Sequence, residues 1–162
     1  MRKSKILVLV CVVGAMAVGC ASLGLYFPKA ESYGDLAIAK GSLAYLESLQ
    51  IIRDKGAESV KDDVAAVLPF LLDSRGVKMA ASKDDAAVRL TLVISEAQEY
   101  RGFDTVYSVK LDLALYEKNT IKPQYLVKIW ASGGQSLSDY GYLVNILKKA
   151  VGMLKIVKSD EN

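Results

Sequence analysis

The side chains able to do chemistry in this sequence are few, and their spacing excludes most of it. There is no histidine, which removes the usual general base and the commonest metal ligand. The cysteines are Cys11 and Cys20. Cys11 sits in an apolar segment that reads as an export signal, so Cys20 alone is left to the mature chain. No Ser-x-x-Lys, Gly-x-Ser-x-Gly or phosphate-cradling glycine loop occurs. Asp62-Asp63 and Asp84-Asp85 are adjacent carboxylates. Neighbours on a helix point in different directions, and Asp84-Asp85 after Ser82-Lys83 reads as a solvated turn. The expectation is a non-enzymatic protein, with no catalytic residues, no metal and no cofactor.

Cys20 ends the most informative stretch. Met1-Arg2-Lys3-Ser4-Lys5 is a short cationic start, Ile6 to Val18 is an uncharged apolar run, and Ala17-Val18-Gly19 brings small residues up to the cysteine. These are the parts of a secretory signal. The run falls short of the about 20 apolar residues that span a bilayer. The segment resembles a bacterial lipobox, with Ala17 where leucine is usual. That resemblance implies that Cys20 becomes the lipid-modified first residue of an exported protein. Ala21 stands where an aspartate would commonly retain a lipoprotein in the inner membrane, which implies the outer membrane, facing the periplasm. One acyl chain binds a membrane only marginally, whereas two or more hold firmly.

Cleavage before Cys20 leaves 143 of the 162 residues, enough for one domain with a sizeable core. Arg2, Lys3 and Lys5 account for three of the 21 basic residues, and all 18 acidic ones follow Cys20. The mature chain is therefore neutral overall, without the concentrated positive footprint that nucleic-acid binding needs. With one cysteine it has no internal disulfide, so packing alone must hold it together.

The elements that must position any site follow from periodicity. Residues 20–35 read as the lipidated cysteine and a tether, broken by Gly24, Pro28 and Gly34. Tyr26-Phe27-Pro28 is its one apolar knot, suited to the membrane interface or to packing on the domain. An α+β domain is expected over 36–158, and a polar tail over 159–162. Leu36–Arg53 fits a helix through Leu43, Leu46, Leu49 and Ile52, or a strand through Leu43, Tyr45, Leu49 and Ile51 with Glu47 as the exception. Ser59 opens a helix with Asp62 as a variant capping box. Val60, Val64, Val67, Leu68, Leu71 and Leu72 form its stripe, Pro69 should kink it or loosen its last turn, and Arg75-Gly76 ends it. Val77-Lys78-Met79 reads as a short strand.

Three alternating strands follow, over Val88–Gln98, Thr105–Glu117 and Gln124–Ser132. Their inward sets are Val88, Leu90, Leu92 and Ile94; then Tyr107, Val109, Leu111, Leu113 and Leu115; then Tyr125, Val127, Ile129 and Ala131. Ser138 or Asp139 caps a last helix with Tyr140, Leu143, Val144, Leu147, Val151 and Leu154 as its stripe. Tyr142, Ile146, Met153 and Ile156 widen that stripe, as in a helix wedged between layers or offering a second contact face. The fold expected is α+β: a single domain with an antiparallel meander of about four strands and two main helices, in the order β-α-β-β-β-β-α.

Two side chains stand out as binding candidates. Leu126 and Trp130 lie on the strand face opposite Tyr125, Val127 and Ile129. They make a partner contact if that face is open, and ordinary packing if the tether covers them.

The layout resembles a broad group of small envelope lipoproteins. The residues that carry the likeness are Leu71-Leu72-Asp73-Ser74-Arg75-Gly76-Val77 and Asp85-Ala86-Ala87-Val88-Arg89-Leu90-Thr91-Leu92, set between a lipobox and a last amphipathic helix. The group includes auxiliary lipoproteins of ABC-type lipid transporters, lipoprotein activators of penicillin-binding proteins, and proteins with a fold like the amino-terminal domain of TolB. Ala86-Ala87 departs from the Ala-Asp many members carry. The resemblance implies a strand before the first helix, hence over Leu43–Ile52. It also implies an accessory role: a lipid-anchored docking subunit of an envelope transport or assembly complex. A lipid-binding module with a cleft between helices and sheet, and an activator of peptidoglycan synthesis, are the alternatives.

Overall fold

The computed structural model describes residues 28–158. The strands are β1 (Lys29–Gly34), β2 (Ile38–Ala39), β3 (Leu43–Ile52), β4 (Lys78–Met79), β5 (Val88–Arg101), β6 (Asp104–Glu117), β7 (Tyr125–Gly133) and β8 (Ile156–Val157). The helices are α1 (Ala57–Asp73) and α2 (Tyr140–Gly152). Six strands form one mixed sheet in the order β1-β7-β6-β5-β3-β4. β3 is parallel to β4 and β5, and the other neighbours are antiparallel. β2 and β8 make a separate parallel pair. The α+β reading holds, and β3-α1-β4-β5-β6-β7-α2 follows the expected element order.

Alternation dictates the core. Val88, Leu90, Leu92 and Ile94 of β5, Val109 to Leu115 at every second residue of β6, and Tyr125, Val127, Ile129 and Ala131 of β7 are all buried. The strand pairing sets them side by side on one face. Val64, Leu68 and Leu72 of α1 and Leu143, Leu147 and Val151 of α2 belong to the same cluster. Each large aliphatic chain so buried contributes about 1.5–3 kcal/mol. The layer between helices and sheet is filled with side chains. Ile146 is buried too, and Tyr142, Met153 and Ile156 pack against the core, so the wider stripe of α2 belongs to the core, with Asn145 and Lys148 on its exposed side. Tyr140, expected in its stripe, is exposed.

Local chemistry sets the helix ends. α1 begins at Ala57 after Gly56, whose φ of 68° is left-handed, and no side chain caps it. The Ser59–Asp62 capping box does not form, because the helix starts before Ser59. Pro69 lies inside α1 without ending it. At the far end Gly76 N–H donates to the Asp73 carbonyl and Val77 N–H to that of Leu72. Gly76, at φ 81°, supplies the left-handed residue that this Schellman closure requires. Arg75 then reaches across to the Gly152 and Leu154 carbonyls at 3.0 and 3.1 Å, satisfying acceptors at the end of α2. α2 starts as expected: Asp139 caps it, with Oδ1 accepting from Tyr142 N–H at 3.1 Å.

One segment departs from its reading, and another keeps its element but not its uniform alternation. Lys29–Gly34, read as part of the tether, forms β1 along β7, with Lys29 opposite Trp130 and Tyr33 opposite Leu126. Lysines from the α2 end fix it: Lys149 donates to the Pro28 carbonyl and Lys155 to that of Gly34 at 3.0 Å. The second segment is β3, the strand over Leu43–Ile52 that the resemblance implied, whose register shifts between Leu46 and Ser48. Ala44 and Leu46 pair with core residues before that bulge, and Leu49 and Ile51 after it. A bulge adds a residue and so changes the phase of alternation. Tyr45, placed inward by a uniform period of two, pairs with Arg89 on the opposite face.

Candidate interaction surface

Both helices pack on the core face, so that among the described residues the other face of the sheet carries no helical layer. The registers arrange that outer face in rows. Lys29, Trp130, Lys110, Ser95 and Ile52 lie side by side across five strands. Next come Glu31, Lys128, Asp112, Val93 and Gln50, then Tyr33, Leu126, Ala114, Thr91 and Ser48. The first row brackets one indole between two ammonium groups. Lys29 Nζ lies 5.7 Å from the Trp130 ring centroid, within cation–π range. A shallow depression of about 410 Å³ lies here, lined by Lys29, Lys110, Trp130 and Ser132 among others.

Trp130 and Leu126 thus occupy the face expected of them, both half-buried. They do not touch as a pair. Lys128 stands between them, and four strand steps separate them by roughly 13 Å. β1 flanks both without roofing them. Cys20 lies outside the described residues. Lys29 completes the indole's surroundings, yet nothing in its sequence context marked it, because residues 29–34 show no apolar alternation.

The lower edge of this face carries a charged node. Arg89, 8% exposed, pairs through Nη1 with Glu47 at 2.5 Å. Nη2 donates to the Thr120 carbonyl, and the guanidinium lies 5.4 Å from the Tyr116 ring centroid. Lys83 reaches Glu47 at 2.9 Å. The Lys83 hydrogen bond, and then the Arg89 charge, hold the Glu47 carboxyl below the usual range despite desolvation. The β3 bulge at Glu47 aims this carboxylate at both cations.

A second node fastens the opposite end of the sheet. Arg53 Nη2 meets Glu96 Oε1 at 2.8 Å, with side chains only 9% and 5% exposed. Glu96 also accepts from Leu137 N–H and from Ser136 Oγ at 3.2 Å. Arg53 donates to Ser138 Oγ at 3.0 Å. Its Nε and Nη1 are buried without a hydrogen-bond partner among the described residues. The node ties the β7–α2 connection to β3 and β5, a structural role. Burial, with the Glu96 charge as a second cause, pushes the Tyr142 phenol up. Among the described residues no group of three His, Cys, Asp or Glu side chains could hold a metal ion. No helix among them is long and apolar enough to cross a membrane.

This architecture, a mixed six-stranded sheet with two helices on one face, is shared with solved proteins of known source. PelC from Paraburkholderia phytofirmans, solved as a dodecamer, superposes with a TM-score of 0.60 at 14% identity over 81% of this chain and 99% of that one. A point variant of PelC gives 0.60 at 16% identity, over 81% and 100%. Lipoprotein GNA1162 from Neisseria meningitidis gives 0.45 at 12% identity, over 69% and 98%, too loose to compare element by element. For the two PelC structures, at these identities, the likeness is one of fold. No family model and no curated protein matches the chain.

Proposed function

We propose that the chain is an envelope lipoprotein, exported by its N-terminal signal and acylated on Cys20. Its α+β domain acts as a non-enzymatic docking subunit of an envelope transport or assembly complex. The lipobox-like segment ending at Cys20 carries the anchoring part of this reading. The uncovered sheet face, with Trp130 held between Lys29 and Lys110, carries the docking part. Trp130 lies between two lysines, one of them paired with Glu31 at 2.9 Å, and Leu126 between Tyr33 and Ala114, a mixture that suits a protein surface of apolar and polar character. Anchoring raises the effective concentration of the domain for any partner in the same membrane. The PelC fold is compatible with such a role, and PelC itself was solved as a dodecamer. A lipid-binding role would have to use the outer surface, because the layer between helices and sheet is filled.

The test is a cross-linking pull-down of tagged full-length protein from native membranes, beside its Trp130→Ala and Cys20→Ala variants. The expected result is a defined transporter or assembly component, captured by the unsubstituted chain and lost with either variant. A peptidoglycan synthase in its place would assign the activator role instead. Equal recovery with all three proteins would contradict both the docking face and the need for an anchor.

A further inference from the structure

The β5–β6 hairpin outgrows the sheet. β3 leaves β5 at Ser95, opposite Ile52, and β7 leaves β6 at Tyr107, opposite Gly133. The two strands run on together to Arg101 and Asp104, closed by Gly102-Phe103 with Gly102 at φ 65°. Among the described residues no strand flanks this arm on either side. At its tip Tyr100 is 75% exposed and Phe103 fully so. Arg101 is paired with Glu99 at 2.8 Å, and Asp104 adds one further charge. Two bare aromatic side chains on a narrow arm contribute nothing to the core, and their exposure is unfavourable in water.

The position of β1 supplies the occupant. β1 runs antiparallel to β7 and begins with Lys29 opposite Trp130, so the chain enters the sheet from the end where the hairpin projects. From the Ser95–Lys110 pair, which lies in the Lys29 row, to the Arg101–Asp104 pair is six residue steps, or roughly 20 Å. From Cys20 to Lys29 is nine residue steps, at most roughly 30 Å when extended. The length of chain before β1 therefore lets an anchor at Cys20 and the hairpin tip lie in one plane. Aromatic rings, with a hydroxyl on one of them, suit the interface of a bilayer.

We propose that Tyr100 and Phe103 enter the interface of the membrane that holds the acylated Cys20, making the hairpin a second contact that stands the sheet upright. This rests on the lipid-anchor reading above. The domain then has two attachment points and a fixed orientation, with the Trp130 face turned sideways along the surface, where a partner in that membrane can reach it.

The test uses full-length protein in phosphatidylethanolamine–phosphatidylglycerol vesicles with brominated acyl chains, which quench nearby indoles. Trp130 is the single natural tryptophan, so Phe103→Trp and Ile121→Trp variants are each read against the unsubstituted chain. Ile121 is equally bare, at 95% exposure, but lies in the β6–β7 connection at the opposite end of the sheet. Both sites are exposed, so neither substitution disturbs the core. The proposal expects the added fluorescence of Phe103→Trp to shift to the blue and be lost to quenching, while that of Ile121→Trp is retained. Equal quenching of both, or of neither, overturns it, including the case in which the tip docks on a protein instead. Mass spectrometry of the amino-terminal peptide is run on the same samples. Cys20 without lipid overturns the anchor reading itself, an outcome separate from an acylated protein whose tip stays in water.

Discussion

The same strands build both faces of the six-stranded sheet, one residue in two for each, and the faces obey different physics. On the core face Leu90, Leu92, Leu111, Leu113, Val127 and Ile129 are fully buried beneath α1 and α2. On the outer face Lys128, Asp112, Lys110 and Trp130 alternate with small and polar side chains, and no helix among the described residues covers them. One face holds the domain together by non-directional burial. The other is free of that duty, and its residues can be chosen for contact with something else. With the outer face as the proposed contact surface, stability and interaction separate across the thickness of a single sheet, and substitutions should sort by face more than by strand.

The largest effect should come from the polar exception that fastens the core's open end. Glu96→Ala leaves the Arg53 guanidinium buried and unpaired, and should cost about 3–5 kcal/mol, read as a lower denaturation midpoint. On the core face Leu111→Ala should cost about 2–5 kcal/mol. Its neighbour Asp112→Ala, one residue along and on the outer face, should stay within about 0.5 kcal/mol. Equal costs for that pair would break the comparison. Trp130→Ala should cost only about 1 kcal/mol while removing partner capture, the reverse of the Leu111 result.

The smallest effect is a pH dependence at Glu47. Lys83 and Arg89 lower its folded pKa, so its stabilisation is full above the ordinary value of 4.5. It is lost as pH falls through the lowered folded value. Glu47→Gln should therefore destabilise slightly at neutral pH and flatten the acid limb of the stability curve below that value. Because Glu47 is partly exposed, salt should weaken the difference. An acid limb unchanged by the substitution would show that the node is only geometric.

The strands β5, β6 and β7 were legible because one face of each is buried, which writes a period of two into the sequence. β3 fitted neither period cleanly. Its bulge at Glu47 changes the phase halfway, so Leu46 and Leu49 share a face although they are three residue steps apart. β1 left no pattern because it is an edge strand with exposed Ser32, Tyr33 and Gly34, held by backbone pairing and two distant lysines. The start of α1 misled because Gly56 provides a backbone start with no side-chain cap, whereas Ser59 only has the composition of one. Leu126 and Trp130 were readable as outward residues. Lys29 and Lys110 beside Trp130 were not, since only strand register creates that row. The Arg53–Glu96 pair joins the end of β3 to the middle of β5, a proximity that no local pattern records.

In the function proposed above, the outer sheet face, and not the helical side, meets a partner in the envelope. The most direct test places a photo-cross-linking amino acid at Leu126, or at Ala66 on the exposed side of α1, in full-length protein in native membranes. The account predicts a discrete adduct with a component of an envelope complex from position 126 and none from position 66. Adducts of equal yield from both positions, or from position 66 alone, would contradict it.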